Sequence, residues 1–145
     1  MFSGLSPLVV EDIADQGEQI RVRARTLNGS SADCPACGAG TTRVHGYHER
    51  TLADVAVDTR RVLVMVRIRR MVCPTRGCRQ TFREQLPGVL ERYQRRTPRL
   101  ASQIGAVVRE LAGCAGVRLL SAMAVHLSRH TALRILLRLP LPPPR

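Results

Sequence analysis

Apolar residues change their spacing beyond Cys78, from every second position before it to every third or fourth after it. Residues 20–27, IRVRARTL, alternate apolar and basic side chains, the period of a half-exposed strand. Residues 28–40 are turn chemistry, and residues 42–52, TRVHGYHERTL, predict a strand with a break at Gly46. Residues 59–73, TRRVLVMVRIRRMVC, predict one long strand. Val62, Val64, Val66 and Ile68 share one of its faces, and Arg61, Arg67 and Arg69 share the other. Residues 1–18 show neither period and are expected to form a loose or weakly helical lead.

Beyond Cys78 the pattern becomes helical. Thr97 followed by Pro98 is a helix start, with a hydroxyl N-cap and proline at the first helical position. Leu100, Ile104, Val107, Val108 and Leu111 fall on one face of that helix. AGCAG (112–116) stops it, and a short apolar helix is expected over about residues 117–124. Ser128 caps a third helix with Leu133, Leu136 and Leu137 as its apolar face. The prolines from 140 to 144 end it. The expected fold class is α+β, a β-rich ribbon followed by three helices. The divisions are an acidic lead (1–19), the ribbon (20–90), the helical unit (91–139) and a Pro-rich linker stub (140–145).

Composition sharpens this division. The chain has 145 residues with two Phe, two Tyr and no Trp, so its cores must come from aliphatic side chains. Small cores of that kind often need a staple such as a metal. The formal charge is +12, and all 23 basic residues are arginine. The charge is polarised: residues 1–18 hold four acids and no base, while residues 92–145 hold ten arginines against Glu110 alone. Such a gradient points to a polyanionic partner, nucleic acid above all. Residues 1–20 lack the features of a signal peptide, and no stretch is apolar enough to span a membrane. The expected compartment is therefore the cytoplasm, in association with the nucleoid.

In a reducing compartment, paired cysteines suggest metal rather than disulfides. Cys34-Pro-Ala-Cys37 and Cys73-Pro-Thr-Arg-Gly-Cys78 are two tight cysteine turns separated by 35 residues, enough for a strand, a turn and a returning strand. Four thiolates on two such turns complete the closed tetrahedron of a structural zinc site, which leaves no open position for chemistry at the metal. His45 and His48 lie within reach of the first turn and stand as competing ligands. Cys114 has no partner in the sequence and is expected to be a small core residue between helices.

The helical half reads as a helix-turn-helix. On its last helix His130, Arg134 and Arg138 follow one another at four-residue steps, with Arg129 beside them. Arg129, His130 and Arg134 are placed to see base edges, and Arg138 and Arg118 to meet phosphates. Arg67 and Arg69 on the long strand add a basic surface from the ribbon.

The segment from Cys34 to Gly88 resembles the zinc-finger region of ISL-three-type insertion-sequence transposases. The resemblance is carried by RVHGYHERTLAD (43–54), VRIRRMVC (66–73) and CRQTFREQLPG (78–88). Residues 93–140 look like the helix-turn-helix that follows it in that family. The resemblance implies a protein that grips the terminal inverted repeats of its own element, alone, as an oligomer or with a full-length copy. In the family, an RNase H-like domain with three acidic residues and Mg²⁺ follows the linker. None of the acids here matches that triad, so the expected product is non-catalytic, a fragment or a regulator that competes for DNA ends. A ribbon serving protein–protein assembly, with its arginines only solvated, is the alternative of a different class.

Overall fold

The computed structural model describes residues 5–140. Among these residues, seven strands and three helices follow one another: β1 (Val9–Asp15), β2 (Gln19–Arg25), β3 (Ala32–Asp33), β4 (Gly40–Thr41), β5 (Val44–Val57), β6 (Arg60–Val72), β7 (Thr81–Arg83), α1 (Pro98–Glu110), α2 (Cys114–Ala122) and α3 (Arg129–Arg138). The class is α+β, with the strands first and the helices last.

The main sheet has the order β1-β2-β6-β5, and β7 pairs with β6 beyond the end of β2. β5 and β6 form a long hairpin closed by Asp58 and Thr59, whose φ values are 52° and 58°. Two central residues with positive φ make the turn whose twist matches that of the strands. β2 runs parallel to β6, placing Ile20, Val22 and Ala24 opposite Val62, Val64 and Val66. These side chains and Leu52 are buried under a layer supplied by Leu5 and Leu8 on one side of the chain and Leu86 and Leu90 on the other.

The acidic lead is not loose. Residues 9–15 form β1, antiparallel to β2 with a bulge between Val10 and Asp12. Its acids meet the basic strands: Glu11 pairs with Arg25 at 2.9 Å and Asp15 with Arg60 at 2.7 Å. The expected break at Gly46 is a register shift between Val44 and Gly46 within a continuous β5. Pro140 is exposed, and the rest of the linker stub lies outside the described residues.

Thr97 caps α1 as expected, its Oγ1 accepting from the Leu100 amide at 3.3 Å, and Ser128 caps α3, accepting from the Thr131 amide at 3.1 Å. The three helices close around Leu100, Ile104, Val108, Leu120, Val125 and Ala132. α2 begins at Cys114, three residues earlier than its apolar pattern suggested, and Cys114 is exposed rather than in the core. The corner before it depends on Gly116, where a Cβ would lie 2.1 Å from the Leu111 carbonyl oxygen. On α3 the buried residue is Ala132, supported by Ile135 and Leu136. Leu133 and Leu137 are exposed, Leu137 to 84%. The helix is rolled so that its small side chain, not its largest, makes the close approach.

The helical unit is fastened to the outer edge of β5. The Ala53 amide donates to Arg95 O and the Thr97 amide to Ala53 O, both at 2.9 Å. Beside this pairing Asp54 is buried, accepting from Thr97 Oγ1 at 2.6 Å and Arg99 Nε at 2.7 Å. The Asp54 carboxyl stays below its usual range: burial opposes ionisation, but the Arg99 guanidinium and the Thr97 hydroxyl outweigh it. No helix among the described residues is long and apolar enough to cross a membrane.

Candidate metal centre and basic surfaces

Two turns bring the cysteines together, the second longer between its cysteines but ending in the same way. In the first, the Cys34 amide donates to Ala39 O at 3.0 Å and the Gly38 amide to Cys34 O at 2.8 Å. In the second, the Cys73 amide donates to Gln80 O at 2.9 Å, and the Cys78 and Arg79 amides both donate to Thr75 O at 3.1 Å. Each turn needs left-handed backbone directly after its second cysteine: Gly38 has φ 75° and Arg79 has φ 42°. That twist aims the next amide back at the sulfur, Ala39 N–H at Cys37 and Gln80 N–H at Cys78.

The four sulfurs lie within 4.8 Å of one another. Cys34 Sγ is 3.7 Å from Cys78 Sγ, and Cys37 Sγ is 3.4 Å from Cys73 Sγ. All four are free thiols; Cys34 and Cys73 are buried, and Cys37 is exposed. The Ala39 amide, with Cys73 and Thr75 beside it, brings Cys37 down to about 6. At Cys78 the Gln80 amide pulls downward, but burial and the neighbouring thiols push it up to about 11. Four sulfurs converging within 4.8 Å of one another, two of them facing backbone amides, are a donor set for one soft cation. The arrangement can hold one metal ion. Neither His45, which is exposed, nor the half-buried His48 belongs to the cluster.

A small core backs the site: Cys34, Cys73, Met71 and Phe82, with Ala32, Ala39 and Cys78 at its margin. Met71 belongs to the face of β6 that carries arginines earlier in the strand. The long strand thus buries one face against the aliphatic core and, past Ile68, the other against the cysteines.

That change of face corrects the expectation for Arg69. It is 3% exposed and cannot face an external partner. Its Nε and Nη2 donate to Glu84 Oε2 at 3.0 and 2.7 Å, and its other hydrogen bonds reach Ser30. Glu84 also accepts from the Arg69 amide at 2.8 Å and from Thr26 Oγ1. This network seals the junction where β2 ends and β7 begins along one edge of β6. Burial would raise the Glu84 pKa, but the Arg69 guanidinium, the Thr26 hydroxyl and the amide hold it below the usual carboxylate range.

The other arginines named from the sequence are exposed. Arg67 lies 4.1 Å over the Tyr47 ring on the open face of the sheet. Arg129, His130, Arg134 and Arg138 are all exposed on α3, and Arg118 is exposed on α2. The periodicity of α3 was enough to find its basic stripe. Arg61, placed by alternation on the same face as Arg67, is exposed there too, and the β2–β6 register adds Arg21 and Arg23, alternate positions of β2 that the sequence reading did not name.

Residues 30–78 match the sequence family described as the zinc-finger of transposase IS204/IS1001/IS1096/IS1165. The match spans both cysteine turns and the hairpin between them. No curated protein and no solved structure matches the chain.

Proposed function

From residues 30–78 being the zinc ribbon of an ISL3-type transposase, we infer that the protein binds DNA, at the inverted-repeat ends of an insertion sequence. One zinc ion held by Cys34, Cys37, Cys73 and Cys78 is its structural staple. The observation that carries the reading is the sulfur cluster inside the matched segment. Zinc–sulfur bonds of about 2.3 Å in a tetrahedron set sulfurs about 3.8 Å apart. The separations of 3.7 and 3.4 Å are close to that edge. Four thiolates leave no open coordination position, so the metal shapes the ribbon and does no chemistry.

DNA recognition falls to the helical unit, read as a helix-turn-helix with α3 as the element in the major groove. Arg129, His130 and Arg134 stand at the N-terminal, groove-facing part of that helix, and Arg138 and Arg118 meet the backbone. Arg67 adds a phosphate contact from the ribbon. Residues 5–140 act by binding DNA ends, alone or with a full-length copy, and supply no nuclease chemistry themselves. Their two best-buried carboxylates support this, since Asp54 and Glu84 are each committed to a guanidinium. As a DNA-end binder the protein works in the cytoplasm, on the nucleoid.

The test is retardation of a duplex carrying an inverted-repeat end, against random duplex, across a salt series. With six to ten phosphate contacts, affinity falls about 10³–10⁵-fold between about 50 and 200 mM salt. Arg134→Ala weakens the cognate complex by ~1–3 kcal/mol and the random complex by less. Absence of a shifted band at about 100 mM salt would overturn DNA binding in favour of protein assembly.

A further inference from the structure

Residues 91–96, ERYQRR, connect the sheet layer to α1, and hydrogen bonds hold them in one shape. Arg50 donates to Glu91 O at 2.9 Å and to Gln94 O at 2.7 Å. Gln94 Oε1 accepts from the Glu91 amide at 2.7 Å, while its Nε2 donates to Val89 O at 3.2 Å and Arg96 O at 2.7 Å. Arg95 O is held by the Ala53 amide at 2.9 Å. A connection that only spanned a distance would need none of this. A loop fixed by supporting side chains presents something in a set geometry.

What it presents is Tyr93. The residue is 81% exposed and sits at φ 62°, left-handed backbone that bulky side chains rarely adopt. It is one of only four aromatic residues in the chain, and it contributes nothing to any core. Strain held by surrounding structure, with no gain in packing, points to a function for the group displayed. The Arg92 guanidinium lies 4.9 Å over the ring, leaving the remainder of the ring to solvent.

Tyr93 is also a ridge between two basic grooves. One, of about 1010 Å³, is lined by Arg50, Arg83 and Arg92, with Asp33 on its wall and Arg69 and Glu84, already paired, in its lining. The other, of about 550 Å³, is lined by Arg92, Arg95, Arg96 and Arg138, with Glu91 as its acid. Positive charge exceeds negative in each. In the first groove, burial and then the charge of Arg83 press the Arg50 pKa downward.

A displayed aromatic ring flanked by arginine grooves is the combination that binds single strands: stacking on a base of any kind, with the backbone following the charge. In a duplex the base faces are covered by their neighbours, so a stacking ring has nothing to meet. We propose that residues 91–96 are a second nucleic-acid contact, separate from α3, which takes an unpaired strand: Tyr93 stacks on a base while Arg92, Arg95 and Arg96 hold the flanking phosphates. This goes beyond duplex recognition by α3: Arg138 of that helix lines the second groove, but the stacking ring and the flanking Arg92, Arg95 and Arg96 lie outside the helix.

The experiment uses the metal-loaded full chain, a labelled ten-nucleotide oligo-dT and the duplex described above. Anisotropy should show the single strand bound by the wild type and by Tyr93→Phe. Tyr93→Asn, which tolerates left-handed backbone but has no ring, should bind the single strand about 5- to 100-fold more weakly and retard duplex as before. The chain has two tyrosines and no tryptophan. In Tyr47→Phe the emission therefore reports Tyr93 alone, and oligo-dT should quench it, a readout that stands even if Tyr93→Asn folds poorly. The proposal is overturned if the wild type ignores the single strand, if Tyr93 emission is unquenched, or if a folded Tyr93→Asn weakens both ligands equally or neither. Quenching and single-strand binding without duplex retardation would overturn the α3 reading and leave this one standing.

Discussion

The two ends of the β5–β6 hairpin are held by different means. At the open end, where the strands meet the cysteine turns, the core is Cys34, Cys73, Met71 and Phe82, and two of those four are candidate metal ligands. Near the closed end, α1 packs against Ala53 and Val55, and six buried aliphatic residues carry a core of their own. The first end has too little apolar surface to order two turns unaided, and the second has no ligand to lose. With a metal ion on the four cysteines, the same hairpin couples a region that depends on the metal to one that does not.

The comparison breaks or holds most clearly on metal removal. Structural zinc in small finger peptides is worth roughly 10–16 kcal/mol of apparent binding free energy, far more than the apolar burial at the open end can supply. With a chelator, or in Cys73→Ser, amide protons of residues 32–41 and 73–83 should lose protection from exchange while those of α1 and α3 keep it. Loss of protection everywhere at once would mean that the two ends form one cooperative unit. Retention everywhere would mean that the metal holds nothing together.

Next in size is the network that separates the ends. Arg69 and Glu84 are both nearly closed to water, with side chains 3% and 4% exposed, so Glu84→Ala leaves a guanidinium buried without its partner. Removal of one member of a buried pair costs about 3–5 kcal/mol. Asp54→Ala should cost less, because Arg99 is 27% exposed and turns to solvent. Both carboxyls are held below their ordinary range. Their stabilisation is complete above about pH 5, where the free acids are ionised. It is lost as pH falls through the lowered folded values, because the unfolded chain takes up protons first. Urea midpoints for wild type and Glu84→Gln at pH 7 and pH 3 check the sign: the variant should show the smaller fall.

Arg69 also marks the limit of what the sequence could show. Alternation placed Val62, Val64, Val66 and Ile68 correctly on the buried face, and both helix caps were legible because a hydroxyl before a helix leaves a local mark. The cysteine spacing was enough to bring four sulfurs together. Arg69 was misplaced because period-2 logic assumes one buried face for a whole strand, whereas β6 is long enough to serve two cores. Its partner Glu84 lies 15 residues away, beyond any periodic pattern. The acidic lead was misread for a related reason. β1 has a bulge and exposed apolar residues, including Ile13, so its pairing with β2 rests on backbone hydrogen bonds and on Arg25 and Arg60, none of which a moving average of hydropathy records. Leu133 and Leu137 fell on the wrong side of α3 because an alanine, not a leucine, sets how closely that helix approaches α1.

The smallest effect sharpens the comparison inside the metal-dependent end. The two cysteine turns end in one backbone shape, with Gly38 and Arg79 in the equivalent left-handed position. Nothing lies within 4 Å of a Cβ added at Gly38, so Gly38→Ala costs only backbone strain, about 1 kcal/mol. Arg79→Gly removes a strain of about 1–2 kcal/mol from the folded turn and adds freedom worth about 0.4–1 kcal/mol to the unfolded chain. The net expectation is a gain of about 0.5–1 kcal/mol, read as a rise in the urea midpoint of the metal-bound protein at unchanged slope. A fall instead would mean that the Arg79 side chain stabilises the second turn in a way the first turn lacks, and the two endings would no longer be copies of one design.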